Sequence, residues 1–211
     1  MKQKVINIEG KKVEDIEISD KIFSLSPNKS IIRSVIDWQL NHFKPRLAKT
    51  KQRSEIKGST SKIYAQKGTG GARHSSRKAP IFVGGGIAHG PKGANYRLKK
   101  INKKVRKLAL AHTLSKKNSD KNLFVLSDVK KEIKKTKEFN NFLKKNNLLN
   151  VIIISDIETS KNIIKSARNI KNLKIINDAG ANIYDMMKYK NVLLTQSSVK
   201  NIEKRILNEK N

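Results

Sequence analysis

Between residues 44 and 107 this chain holds 19 lysines and arginines and a single acid, Glu55. Nine of its eleven glycines share the stretch (Gly58, Gly68, Gly70, Gly71, Gly84, Gly85, Gly86, Gly90 and Gly93), as do three of its four prolines. Like charges at this density repel one another, and up to about Tyr96 no apolar residues recur at a helical or strand period. Such a segment buries too little surface to offset a backbone ordering entropy of ~1–2 kcal/mol per residue. It cannot belong to a packed core, and it is expected to be disordered in isolation. Compact domains seldom contain structureless connections beyond ~15 residues, and those that occur are functional or disordered.

The flanking sequence reads as folded. VINIEG and KKVEDIEI alternate apolar and polar positions and predict two short strands about a Gly10-Lys11 turn. Pro27-Asn28-Lys29-Ser30 opens a helix with Ile31, Ile32, Val35, Ile36 and Leu40 on one face and Trp38 and Phe43 nearby. A second helix resumes at Asn102, with Val105, Leu108, Ala109, Leu110, Ala111 and Leu114 as its apolar stripe. Beyond residue 120, NLFVLSD, NVIIIS, LKIIN and NVLLTQ predict four strands, their near-continuous apolar runs expected of strands covered on both faces. Between them lie the amphipathic segments KEFNNFLKKN, SKNIIKSARNI and ANIYDMMKY. A last helix, SSVKNIEKRIL, has Ser197 or Ser198 as its expected N-cap. This rhythm predicts a Rossmann-like α/β domain with a parallel sheet, built from 1–43 and 102–211. An extended Gly/Lys/Arg-rich loop, 44–101, is inserted after the first helix.

The formal net charge is +30. A field of that size calls for a polyanion, either nucleic acid or an anionic membrane. No apolar run approaches the ~18 residues that span a bilayer, so no membrane partner is expected. The segment MKQKVINIEG has neither a signal-peptide core nor a transit pattern, and cysteine is absent, which excludes disulfides and thiolate metal sites. A cytoplasmic protein on nucleic acid is the expectation.

Within the basic stretch the chemistry is coherent. Lysines and arginines neutralise phosphates and release counterions. Six of the nine arginines lie here, although the chain otherwise favours lysine. That is where a planar, bidentate guanidinium outperforms an ammonium. The expected RNA contacts are Arg46, Lys49, Lys51, Arg53 and Lys57 on the first part, and Lys62, Lys67, Arg73, Arg77 and Lys78 through the middle. Lys92 and Arg97 follow, then Lys103, Lys104 and Arg106 in the first turns of the second helix. Basic residues there oppose the helix dipole, which points to an external phosphate rather than intrinsic stability. Tyr64, Phe82 and Tyr96 are spaced to stack on unpaired bases.

Site chemistries of other kinds find little support. Gly68-Thr69-Gly70-Gly71 follows no strand and opens no apolar helix, so it is not a dinucleotide fingerprint. Gly85 to Lys92 imitates a phosphate-binding loop, but Pro91 separates Gly90 from Lys92 and no Ser or Thr follows the lysine. His42, His74, His89 and His112 stand at no metal-ligand spacing. Asp128, Asp156 and Asp178 follow strands or turns and read as caps. No catalytic residue, metal or cofactor is expected.

The blocks TKQRSEIKGS, QKGTGGARHSSRKAPIFVGGGIAHGPK and LKKINKKVRKLALAHTLS resemble the family of the universal large-subunit ribosomal protein number four. The resemblance runs in order over most of the chain and is strongest over residues 45–115. It implies a Rossmann-like domain on the solvent side of the subunit and a loop that threads through ribosomal RNA to the nascent-peptide tunnel. Gln66, Lys67, Gly68, Thr69 and Gly70 would then line the tunnel. Relatives usually carry Trp-Arg where this chain has Tyr64-Ala65, and Arg where it has Gly71, so two charges are missing near the tip. The implied partners are large-subunit RNA, neighbouring ribosomal proteins and the passing peptide, in the cytoplasm. The expected function is a non-catalytic constituent of the large subunit that supports early assembly. The alternative is an RNA-modifying enzyme with a Rossmann-like domain and a basic arm.

Overall fold

A computed structural model describes residues 1–8, 12–44, 47–93, 100–129, 133 and 135–207. The chain divides into two compact units, one made of 1–40 and 100–211 and the other of 41–99.

The first unit is a mixed α/β fold around one sheet. Strands β1 (Lys2–Ile6) and β2 (Lys12–Glu17) form an antiparallel pair, and the Gly10-Lys11 turn expected between them lies outside the described residues. A short helix α1 (Asp20–Phe23) leads to α2 (Lys29–Phe43). Asn28 Oδ1 accepts from the Ser30 and Ile31 amides and so opens α2 where the sequence expects it. After the second unit come α3 (Lys103–Ser119), β3 (Leu123–Leu126), α4 (Thr136–Lys145), β4 (Val151–Ser155) and α5 (Ile157–Ala167). The chain continues through β5 (Leu173–Asn177), α6 (Ile183–Lys188), β6 (Asn191–Thr195) and α7 (Gln196–Leu207). The sheet order is β2-β1-β3-β6-β4-β5, and every pairing except β1 with β2 is parallel.

The near-continuous apolar runs of β4 and β6 have the expected consequence: all five residues of each are buried. Successive side chains point to opposite faces. Ile152 and Ile154 pack with residues of α2, α3, α6 and α7, while Val151 and Ile153 pack with Phe139, Phe142, Leu143 and Ile163 of α4 and α5. Each fully buried aliphatic side chain stabilises by roughly 1.5–3 kcal/mol. LKIIN behaves differently. It forms the edge strand β5, paired only with β4, and it is half exposed rather than covered on both faces. No helix among the described residues is long and apolar enough to cross a membrane.

Two expectations about caps are corrected. Neither Ser197 nor Ser198 caps α7, because the helix starts at Gln196, directly after β6. The Ser197 amide instead donates to Asp128 Oδ1 at 3.2 Å, from the loop after β3, and the Ser198 hydroxyl donates back to the Thr195 and Ile154 carbonyls. Asp156 stands at the N-cap of α5 with no side-chain cap bond. Asp178 accepts from the Ala179 amide and from Asn201. The Asp128 and Asp178 carboxylates thus organise a helix start and a turn, while that of Asp156 makes no cap bond.

Candidate nucleic-acid interface

The second unit is held by backbone hydrogen bonds between distant parts of its chain. Lys49 and Lys92 form an antiparallel bridge, flanked by Thr50 N–H to Pro91 O (2.9 Å) and Gly93 N–H to Ala48 O (2.8 Å). Further along, Ile87 donates to Lys51 O, Gly86 to Lys78 O and Ile63 to Ser75 O, each at 2.9 Å. The segment is irregular, as its composition requires, yet it is cross-tied.

Its interior is small and lacks large apolar side chains among the described residues. Among the described residues of 41–99, the buried ones are Ser76, Gly86 and Gly93, and none is a large apolar side chain. Phe43, Leu47, Ile81, Val83 and Ile87 are exposed instead. Its described residues therefore form no hydrophobic core, and its shape rests on polar ties and on glycine. Gly86 runs against the turn at Arg53 so closely that a Cβ there would stand 2.3 Å from Arg53 N.

That turn is a single 3-10 turn, Arg53–Glu55, and it contains the unit's one acid. The Glu55 carboxylate accepts from the Gln52 amide at 3.1 Å and lies 3.4 Å from Lys49 Nζ. The Gln52 amide first and the Lys49 ammonium second hold the Glu55 carboxyl below the usual carboxylate range. The lone acid thus ties two parts of a cationic chain together, and it leaves the field around it positive.

Of the expected RNA contacts, Lys49, Lys51, Arg53, Lys57, Lys62, Lys67, Arg73, Arg77 and Lys92 are exposed in this unit and Lys78 is half-buried. Arg53 donates to Ser75 Oγ at 3.2 Å, and Lys62 donates to Gln66 Oε1. Lys103 and Lys104 are exposed at the start of α3, and Arg106 is half-buried. Arg46, Arg97 and Tyr96 lie outside the described residues. Gln66, Lys67, Gly68, Thr69 and Gly70 form an exposed bend, with Gly68 at φ +82° and Gly70 at φ +67°, in the left-handed region that favours glycine.

Tyr64 and Phe82 are not independent stacking platforms. His74 sits between them, its ring 6.1 Å from Tyr64 and 4.9 Å from Phe82, both edge-on. Tyr64 also donates to Ala72 O. Reading the residues singly missed this row, because the three rings meet only through the bending of the chain. The described residues contain no group of three or more metal-ligating side chains.

A sheet domain joined to a cationic unit without a core is the build of a protein that works against a polyanion. The comparisons narrow that class: the chain belongs to the Ribosomal protein L4/L1 family, which it matches over residues 16–205. It is 50% identical over 206 residues to the large ribosomal subunit protein uL4 of Pelagibacter ubique, covering 97% of this chain and 99% of that one. It is 42% identical to the uL4 of Desulforapulum autotrophicum, over 95% of this chain and 96% of the relative. The uL4 of Desulfatibacillum aliphaticivorans is 38% identical, with 98% and 99% covered.

Proposed function

We propose that this protein is a non-catalytic structural constituent of the large ribosomal subunit, bound to large-subunit RNA in the cytoplasm. The observation that carries the reading is the unit of residues 41–99, exposed, cationic and without an apolar core, in a chain of this family. Such a unit gains more from phosphate than from packing. RNA supplies the counter-charge, and each neutralised phosphate releases counterion. Lys49, Lys51, Arg53, Lys57, Lys62, Arg73, Arg77 and Lys92 are the expected phosphate contacts, with Lys103, Lys104 and Arg106 continuing them onto α3.

The α/β unit is the Rossmann-like platform, and the segment inserted after α2 is the RNA-threading loop. The exposed 66–70 bend is the tip that lines the nascent-peptide tunnel, where Lys67 faces the passing peptide and the surrounding RNA. Early binding, while RNA is still open to threading, makes the protein an assembly factor as well as a constituent. No observation favours the enzyme alternative.

The test is sedimentation of a tagged copy in cells. It should travel with the large subunit at stoichiometric occupancy and stay bound through moderate salt. A copy found only in the free-protein fractions would overturn the reading.

A further inference from the structure

The α/β unit carries a cleft of its own. It opens between α2, α3 and the turn before α6, with room for about 390 Å³, and its rim holds Trp38, Gln39, Lys103, Arg106, Lys107 and Arg205. Four of these are cations, and no acid lines the cleft among the described residues. Three carboxylates near these residues are engaged elsewhere: Asp178 by Ala179 and Asn201, Asp185 by Lys174 and Asn182, and Glu203 by the Ser19 amide.

Two features suit a flat anionic ligand. The Arg106 guanidinium lies over the Trp38 ring, 5.0 Å from its centroid, and makes a planar cationic wall. Its Nε is buried and has no hydrogen-bond partner among the described residues. A buried donor without an acceptor costs about 1–3 kcal/mol, and native structures seldom leave one so. Two other polar groups of the rim are held by the fold. Gln39 Oε1 accepts from the Tyr184 amide at 2.9 Å, and Arg205 donates to the Asp178 and Ala179 carbonyls at 3.1 Å each. Gln39 and Arg205 are thus held in place, and the Arg106 Nε donor is still to be met.

We propose that this cleft binds a single unpaired nucleotide of RNA, its base against the Trp38–Arg106 stack and its phosphate among Lys103, Lys107 and Arg205. It deepens the proposed function, on which it rests, by naming what the α3 contacts Lys103 and Arg106 hold on the α/β unit. An aromatic and a guanidinium side by side accept any base by stacking, and the surrounding cations take the phosphate.

Trp38 is the only tryptophan of the chain, so its emission reports on the cleft without a label. The experiment uses the full chain, a single-stranded oligoadenylate and an abasic oligomer of equal phosphate count, at fixed salt. Filter retention reads total binding, and Trp38 emission reads the cleft. Oligoadenylate should quench Trp38 saturably, while the abasic oligomer should be retained with little quenching. Arg106→Gln should weaken the quenching isotherm roughly tenfold, the scale of one stacked base. If that variant unfolds, Lys103→Gln, a change at an exposed position, must still weaken the isotherm measurably. Retention of oligoadenylate with unchanged Trp38 emission overturns the cleft and leaves the ribosomal reading standing. Equal quenching by the abasic oligomer overturns it too, because the cleft then takes no base, as does an unchanged isotherm in Lys103→Gln. Loss of all RNA retention by the wild-type chain overturns both readings.

Discussion

Gly86 and Arg53 approach each other so closely that a methyl group on Gly86 would stand 2.3 Å from the Arg53 nitrogen and 2.7 Å from its Cα. Backbone cannot yield as a flexible side chain does. The contact pins the far arm of the irregular unit to the Arg53–Glu55 3-10 turn.

Gly86→Ala should therefore force the two arms apart, with overpacking strain of typically ~1–3 kcal/mol. A unit without a hydrophobic core has little with which to resist. The Gly86 N–H to Lys78 O and Ile87 N–H to Lys51 O bonds should be lost with it. Gly70→Ala is the control. Gly70 has φ +67° and nothing within 4 Å of a built Cβ, so only the left-handed penalty of ~1–2 kcal/mol applies. Limited proteolysis within 50–90 should accelerate much more in the first variant, and RNA affinity should fall with it. Equal behaviour of the two variants would contradict a close-packed role for Gly86.

Lys117 predicts a pH effect in the α/β unit. It is buried on α3, and its ammonium donates to the Tyr189 and Lys190 carbonyls at 2.8 and 3.0 Å, where α6 ends. Burial pushes its pKa below the ordinary lysine value of 10.5, with Asp120 opposing the shift. The unfolded chain then holds this proton to higher pH than the folded one does. In the window from the lowered value up to 10.5, unfolding takes up protons, so this group adds stability as pH rises. Lys117→Met should remove that increment and leave two carbonyls without their donor, a loss of ~1–3 kcal/mol. Denaturant unfolding of both proteins across the alkaline range should show their stability difference widening with pH. A difference that stays flat through the window would refute the assignment.

How far the fold shows through the sequence depends on whether the relevant contact is local. Val151 to Ser155 reads as a doubly covered strand because an apolar run of that kind survives only between two helical layers. Leu173 to Asn177 has nearly the same pattern, yet it lies at the sheet edge, since strand order is set by crossovers that periodicity does not encode. Ser197 looked like a cap because caps are local, but Asp128 fills that role from another loop. The charge of the irregular unit was plain from composition. The row of Tyr64, His74 and Phe82, and the stacking of Arg106 on Trp38, were not, because each joins residues far apart along the chain.

RNA binding should depend steeply on salt. If about half of the 19 cations between residues 44 and 107 meet phosphates, each adds ~0.7–0.9 to the slope of log K against log salt. A total slope of roughly 7–9 follows from that occupancy. Filter binding of large-subunit RNA across a salt series measures it directly. A slope of roughly 1 or 2 would mean that most of this charge is merely solvated.

Lys67 offers the sharpest single-residue test of the tunnel reading. It is exposed on the bend that runs into Gly68 and Gly70, and it is the only cation between Lys62 and Arg73. Lys62 itself donates to Gln66, which ties the near side of the bend. The family resemblance implies arginines at the positions of Ala65 and Gly71, so here the tip has one charge to lose rather than three. Lys67→Glu would place an anion among RNA phosphates in a partly desolvated wall, where charge effects exceed those at a free surface. Subunit incorporation should stay near wild type, because the other cations of the unit still anchor the protein. Sensitivity to antibiotics that bind in the tunnel, or stalling by peptides that arrest there, should change. Lys161→Glu, on α5 of the α/β unit, should alter neither. Ribosomes shown to carry the Lys67 variant, with drug sensitivity and stalling both unaltered, would remove the 66–70 bend from the tunnel wall.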